Sequence, residues 1–302
     1  MALALFRIMI PVSIFIRLLE ITEITPWFGQ ALAPFMKFTG LPGESGLVWA
    51  TTLLTNMYGG MLVFYNMPAA QHYTVAQVTV LCCMMLVGHT FPIELQVARK
   101  AGIRIGVMFI IRFGFGLLTG ILLNLIFETF GILQYHQDPT WKPSRASEPG
   151  WLPWLQTELK NYAMILLVIF ALLLLMRVLK ATGILRLISN GLKPLLGILG
   201  ISKETIPITM IGLTMGILYG GALMIKEAKE NNLPKLDVFY AMTMMGLCHS
   251  LIEDSLLMMS LGAHWSGVFL FRILFAILIT WLIVQVTRRL PKGIAERWLL
   301  RG

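Results

Sequence analysis

Apolar residues fill long blocks of this chain, at about 161–179, 103–127, 237–252 and 265–287, with polar groups gathered between them. Each block is long enough, or nearly so, to cross a hydrocarbon core. The pattern predicts helices 3–20, 75–97, 103–128, 161–179, 237–258 and 265–287 as crossings. Two further segments, 45–65 and 205–225, are apolar but interrupted. Gly46, Asn56, Gly59, Gly60 and Pro68 break the first; Pro207, Gly212, Gly216, Gly220 and Gly221 break the second. Between these lie segments 22–43 and 180–203, which suit the membrane surface.

The pattern occurs twice, at a spacing of 160 residues. Arg17 matches Arg177, Pro34 matches Pro194, and Gly40 and Glu44 match Gly200 and Glu204. His89 matches His249, Glu94 matches Asp254, Gly102 matches Gly262, and Arg112 matches Arg272. Tyr58 to Gly60 recurs as Tyr219 to Gly221, at a spacing of 161. The chain therefore divides into a first repeat (1–130), an extracytoplasmic loop rich in Pro and Trp (131–160) and a second repeat (161–302).

Charge gives the two copies opposite orientations. Loop 66–74 has no Lys or Arg, whereas its partner 226–235 has Lys226, Lys229 and Lys235. Arg99, Lys100 and Arg104 face an uncharged partner at 259–265. Segment 180–203 is basic where 22–43 is not. Cytoplasmic loops collect Lys and Arg, so each pair places its members on opposite sides. That is an inverted repeat, with an odd number of crossings per half and both termini cytoplasmic. Segments 45–65 and 205–225 then start and end on one side, as re-entrant hairpins. The competing reading makes each a single 21-residue spanning helix in parallel repeats.

Composition agrees. Of 302 residues, 57% are hydrophobic and 13% charged, and mean hydropathy is +0.77. Soluble domains carry roughly 25% charged residues. The expected class is an all-α polytopic membrane protein of two inverted-topology repeats. Each repeat has about three transmembrane helices, an interfacial amphipathic segment and a re-entrant helical hairpin. The start, MALALFRIMIP, reads as a retained first helix and not a removed signal. The net charge of +9 belongs to cytoplasmic loops and is no sign of nucleic acid. Cys82, Cys83 and Cys248 lie in apolar runs, so no disulfide framework is implied. There is no phosphate loop, nucleophile elbow or CxxC, and nothing calls for a cofactor. The chain is not expected to be an enzyme.

Ionisable groups inside apolar helices mark function or a buried pair. Thr90 and Glu94 are spaced i,i+4, and Ser250 and Asp254 repeat that spacing. His249 and Glu253 form another such pair. Pro92 is expected to break its helix beside Glu94. Glu94 lies 8 residues before Gly102 and Arg112 lies 10 after; Asp254 and Arg272 keep the same spacings about Gly262. At about 1.5 Å per residue both members sit roughly 12–15 Å deep on adjacent helices. Ion pairs Glu94–Arg112 and Asp254–Arg272 are therefore expected. They either brace helix hairpins or handle substrate and protons. Cys82, Cys83, His89 and Glu94 cluster in sequence, as do Cys248, His249, Glu253 and Asp254. The spacing fits no standard metal motif, so no metal ligand is assigned. The nineteen methionines read as packing. Spacings Gly116–Gly120, Gly212–Gly216 and Gly216–Gly220 permit close helix approach, within the chain or in a dimer.

The paired Tyr-Gly-Gly segments, each followed by a helix with a His and an acid, resemble the nucleoside-recognition or Gate domain. That domain is shared by concentrative nucleoside transporters, the membrane part of ferrous-iron transport protein B and spore maturation proteins A and B. The resemblance covers roughly 40–130 and 200–290. It implies a transport role in a bacterial inner membrane and an inverted-repeat core. The cytoplasmic GTPase domain of the iron transporter has no counterpart here.

The leading expectation is a secondary carrier or permease for a small polar, nucleoside-like solute, with a site between the repeats near the midplane. Thr55, Asn56, Tyr58, Gly59 and Gly60 line it from one half, and Thr214, Tyr219, Gly220 and Gly221 from the other. His89, Thr90, Glu94, Arg112, His249, Ser250, Glu253, Asp254 and Arg272 are the intramembrane polar groups, candidates for coupling to an ion. The alternatives are a divalent-metal permease and a non-transporting membrane accessory protein. The expected surroundings are the lipid bilayer and the solute; a homodimer would shield so small a core, though the sequence does not require one.

Overall fold

The computed structural model describes residues 10–11, 13–14, 17–18, 21–22, 32–67, 70, 72–136, 150–230 and 233–300. Most of the expected helix 3–20, of segment 22–31 and of loop 137–149 lies outside the described residues. Among those described the fold is helical, with only two isolated bridging pairs, Thr74–His136 and Ile103–Leu300.

Thirteen helices can be named. The first half holds α1 (Ser45–Leu54), α2 (Met57–Asn66), α3 (Val75–Val87), α4 (Phe91–Lys100) and α5 (Ile105–Phe130). Then come α6 (Trp151–Ala181), α7 (Ile184–Ile198), α8 (Ile206–Met215), α9 (Ile217–Glu230) and α10 (Lys235–Leu247). The chain ends with α11 (Glu253–Ser260), a π-helical turn (Ser266–Phe271), α12 (Arg272–Arg289) and α13 (Lys292–Leu299). Four runs are long and apolar enough to cross a membrane: Val75–Lys100, Ile105–Phe130, Trp151–Ala181 and Ser266–Arg289.

Local chemistry explains the boundaries. Thr74 and Gln77 form a capping box at the start of α3, each side chain accepting from the other's backbone N–H, at 3.2 and 3.1 Å. Asn56 caps α2, its Oδ1 accepting from Gly59 N at 2.9 Å. Gly131 ends α5 at φ +60°. Helix α6 starts at Trp151, ten residues before the expected crossing, because Pro153 falls in its first turn, where a missing N–H costs nothing. The expected helix 237–258 is two helices, with Cys248–Ile252 non-helical between them.

The interrupted segments are helix pairs folded back on themselves. A Cβ added to Gly60 would collide with the Thr52 side chain, so α2 lies against α1 across the Thr55–Asn56 break. Gly220 meets the backbone of Gly212 in the same way, so α9 lies against α8 across Gly216. Gly216 makes that turn at φ +99°. Gly120 faces Thr39 and Met84, and Gly116 faces Trp49. These small residues serve packing within the chain, as expected where lipid is as apolar as the core and close approach must hold helices together.

Helices α3 and α10 form the centre, buried along nearly their whole length. Around them the two halves exchange segments. Ala98, Ile103 and Met108 of the first half belong to the core of the second. Met258, Ala263 and Val268, their counterparts 160 residues on, belong to the core of the first. Neither half is a separable unit.

Candidate functional site

The centre of the molecule is where α3 and α10 stop. Helix α3 ends at Val87 and α4 begins at Phe91; α10 ends at Leu247 and α11 begins at Glu253. At matching places the backbone turns left-handed, at Thr90 (φ +51°) and Ser250 (φ +44°). Neither residue is glycine, and a β-branched residue there is strained. Hairpin backbone anchors each break: Thr90 N donates to Thr52 O at 3.0 Å, and Leu251 N donates to Leu213 O at 2.8 Å.

A helix that stops inside the core leaves carbonyl oxygens unsatisfied. The two buried arginines supply the missing donors. Arg112 Nε donates to Val87 O and to Gly246 O, both at 3.1 Å. Arg272 Nε donates to Leu247 O at 3.4 Å, and its Nη2 donates to Leu86 O at 3.4 Å and His249 O at 2.7 Å. Each guanidinium thus caps the ends of both central helices, where positive charge also suits the helix dipole. Arg112 lies 5.3 Å from the centre of the Phe91 ring as well.

The acids occupy the opposite kind of end. Glu94 and Asp254 lie in the first turns of α4 and α11, where negative charge is favoured. Glu94 forms the expected ion pair with Arg112, through Oε2. Asp254 does not pair with Arg272: the carbonyls released at Cys248–Ile252 occupy that guanidinium instead. The Asp254 carboxylate is 8% exposed and has no hydrogen bond or ion pair among the described residues.

The two histidines meet. His89 Nε2 and His249 Nε2 are 3.0 Å apart, and Glu94 Oε1 lies 3.3 Å from the first and 3.5 Å from the second. His89, His249 and Asp254 each bring one ligand-type atom to within 4.8 Å of the others, all from buried residues. The sequence showed that the histidines recur but not that they touch. The signal was available: in two halves related by a two-fold axis, a residue on the axis contacts its own counterpart.

The remaining expected site residues fall into three settings. Asn56, Thr55 and Tyr58 are half-buried at the turn of the first hairpin, with Thr55 Oγ1 donating to Thr51 O at 2.7 Å. Thr214 is half-buried and donates to Met210 O at 2.8 Å, whereas Tyr219 is 64% exposed and points away from the centre. Gly59, Gly60, Gly220 and Gly221 are buried and closely packed: an added Cβ would meet Thr55, Thr52, Gly212 and Val97 respectively. Thr90, Ser250 and Glu253 are half-exposed on the rim of the buried cluster. The three cysteines are buried and free, and none belongs to the histidine cluster.

Comparison with known proteins fits this arrangement. The family model described as nucleoside recognition (Gate) matches the chain twice, over residues 2–104 and 162–264. The matches begin and end 160 residues apart, the spacing that relates His89 to His249. The chain is 28% identical over 287 residues to the uncharacterized membrane protein YvoD of Bacillus subtilis (strain 168), covering 94% of this chain and 90% of that one. No solved structure matches.

Proposed function

We infer that this chain, which belongs to the Gate (nucleoside recognition) family of membrane proteins, is a carrier or permease for a small polar solute. The observation that carries the reading is the buried meeting of His89 with His249, one from each half, amid Glu94, Arg112, Asp254 and Arg272. Ionisable groups are costly in an apolar interior and are kept there for solute or proton handling. Here they gather where two helices break, as in transporters whose sites lie between repeats.

In this reading the halves are inverted repeats in the inner membrane of a bacterium, and both termini face the cytoplasm. Hairpins α1–α2 and α8–α9 enter from opposite faces without crossing. Their turns at Thr55–Asn56 and Thr214–Gly216 flank the cluster. Asn56 Oδ1 is engaged in its cap, so its amide NH2 is the group presented to a solute. Tyr58 offers an aromatic face and a hydroxyl. Together they suit a nucleoside-like ring bearing hydrogen-bonding edges. His89, His249 and the acids would couple its movement to an ion.

The test is flux into proteoliposomes of labelled nucleosides and nucleobases, with wild-type protein and with Asn56→Ala. Uptake of one class, reduced at least tenfold by Asn56→Ala in protein that folds normally, supports the reading. Absence of uptake, together with dependence on a co-expressed partner for stability, overturns it in favour of an accessory role.

A further inference from the structure

The backbone fixes the proton on each central imidazole. His89 Nδ1 lies 3.0 Å from Met85 O, and His249 Nδ1 lies 2.8 Å from Met245 O. A carbonyl oxygen only accepts, so Nδ1 carries the hydrogen on both rings. In a neutral imidazole Nε2 is then a bare acceptor. Two such lone pairs face each other at 3.0 Å, and Glu94 Oε1 faces both. Three acceptors converge with no donor among them, an arrangement that repels itself until a cation enters.

The triangle has the right size for one. Its edges of 3.0, 3.3 and 3.5 Å place a point in their plane about 1.9 Å from all three atoms. Zinc-class bonds to imidazole nitrogen and carboxylate oxygen are about 2.0–2.2 Å. An ion at that length sits just off the plane, as in a tetrahedral site. Asp254 stands within 4.8 Å of both histidine nitrogens, with its carboxylate uncommitted.

We propose that His89, His249, Glu94 and Asp254 form a binding site for one divalent transition-metal ion of the zinc class, held by one imidazole from each half. The inference goes beyond the transport reading and stands on the cluster alone. The surroundings suit it. Each ligating ring donates its other N–H to a carbonyl, the usual device for orienting a metal-bound histidine. Arg112 holds Glu94 by Oε2 and leaves Oε1 facing the rings. Three acids in this region, Glu94, Glu253 and Asp254, oppose two guanidiniums, so the neutral-histidine cluster carries a net negative charge. Imidazole and carboxylate donors together suit first-row divalent ions.

Cobalt(II) titration of the purified, metal-stripped full chain in detergent tests this, read by visible absorption and by metal content. The expected result is one cobalt per chain, with the intense visible bands of four-coordinate cobalt, no thiolate charge-transfer band, and displacement by zinc. His249→Gln and Asp254→Asn should each weaken binding at least tenfold. Only the weak spectrum of six-coordinate aqueous cobalt in the wild type would overturn the proposal. Such a result would mean that a shared proton, and no metal, joins the rings. Undiminished binding in both folded variants would overturn it as well. If His249→Gln fails to fold, the wild-type spectrum and Asp254→Asn decide. Flux is read separately, so loss of metal binding with uptake intact, or the reverse, tells the two readings apart.

Discussion

Arg112 and Arg272 hold each other's partners. Arg112 bonds to the carbonyls of Val87 and Gly246; Arg272 bonds to those of Leu247 and Leu86, the same pair of positions displaced by 160 residues in opposite senses. Each guanidinium ties one central helix to the other. That is a more specific job than neutralising an acid, and it explains why a cation is kept at the deepest point of the molecule.

A first prediction concerns Arg112. Removing one partner of a buried ion pair costs about 3–5 kcal/mol, because the other charge is left uncompensated. Arg112→Met should lower the unfolding midpoint steeply, and Arg112→Met combined with Glu94→Gln should recover part of the loss. The cycle is read by denaturant unfolding in detergent. Strictly additive effects would mean that the Glu94 contact contributes nothing and that carbonyl capping alone holds Arg112 in place.

How much of this was legible follows from where the information lies. The Glu94–Arg112 pair could be read from spacing about Gly102, since a helical hairpin fixes depth. The equivalent pair in the second half could not. It depended on a helix running unbroken from 237 to 258, and the stretch from Cys248 to Ile252 contains neither Gly nor Pro to announce a break. The turn falls on Ser250, held left-handed by tertiary contacts such as Leu251 N to Leu213 O. Once the helix stops there, its free carbonyls take Arg272. Gly220 misled differently: its recurrence was real, but its purpose is contact with Gly212, which no linear pattern distinguishes from exposed backbone.

The hairpin glycines give a second prediction. Gly60→Ala and Gly220→Ala insert a methyl group where Thr52 or the backbone of Gly212 already stands. Such overpacking costs about 1–3 kcal/mol. Gly114 has open space around its Cβ position, so Gly114→Ala should be neutral or raise stability by up to ~1 kcal/mol. Thermal unfolding of the three variants compares them directly; equal effects would mean that the hairpin arms are not in contact.

Topology yields a third. His72 and Glu230 are both exposed, each in the loop that follows a hairpin, and the native cysteines are buried. In inverted repeats His72→Cys reacts with a membrane-impermeant maleimide from outside the cell and Glu230→Cys only from the cytoplasmic side. Labelling of both from one side would replace the inverted arrangement with parallel repeats.

The break itself can be tested at Thr90. A β-branched residue at φ +51° is strained, and the left-handed conformation costs an L-residue roughly 1–2 kcal/mol. Glycine adopts it freely but surrenders about 0.5–1 kcal/mol through chain entropy. Thr90→Gly should therefore leave stability unchanged or raise it by up to ~1 kcal/mol, and Thr90→Ala, which keeps the strain, should give no gain. Ser250→Gly should behave similarly with a smaller effect, because serine is not β-branched. In a continuous helix the order reverses: glycine would lose about 1 kcal/mol against alanine. The relative melting temperatures of Thr90→Gly and Thr90→Ala thus report whether the chain stops at this point, on which the meeting of His89 with His249 depends.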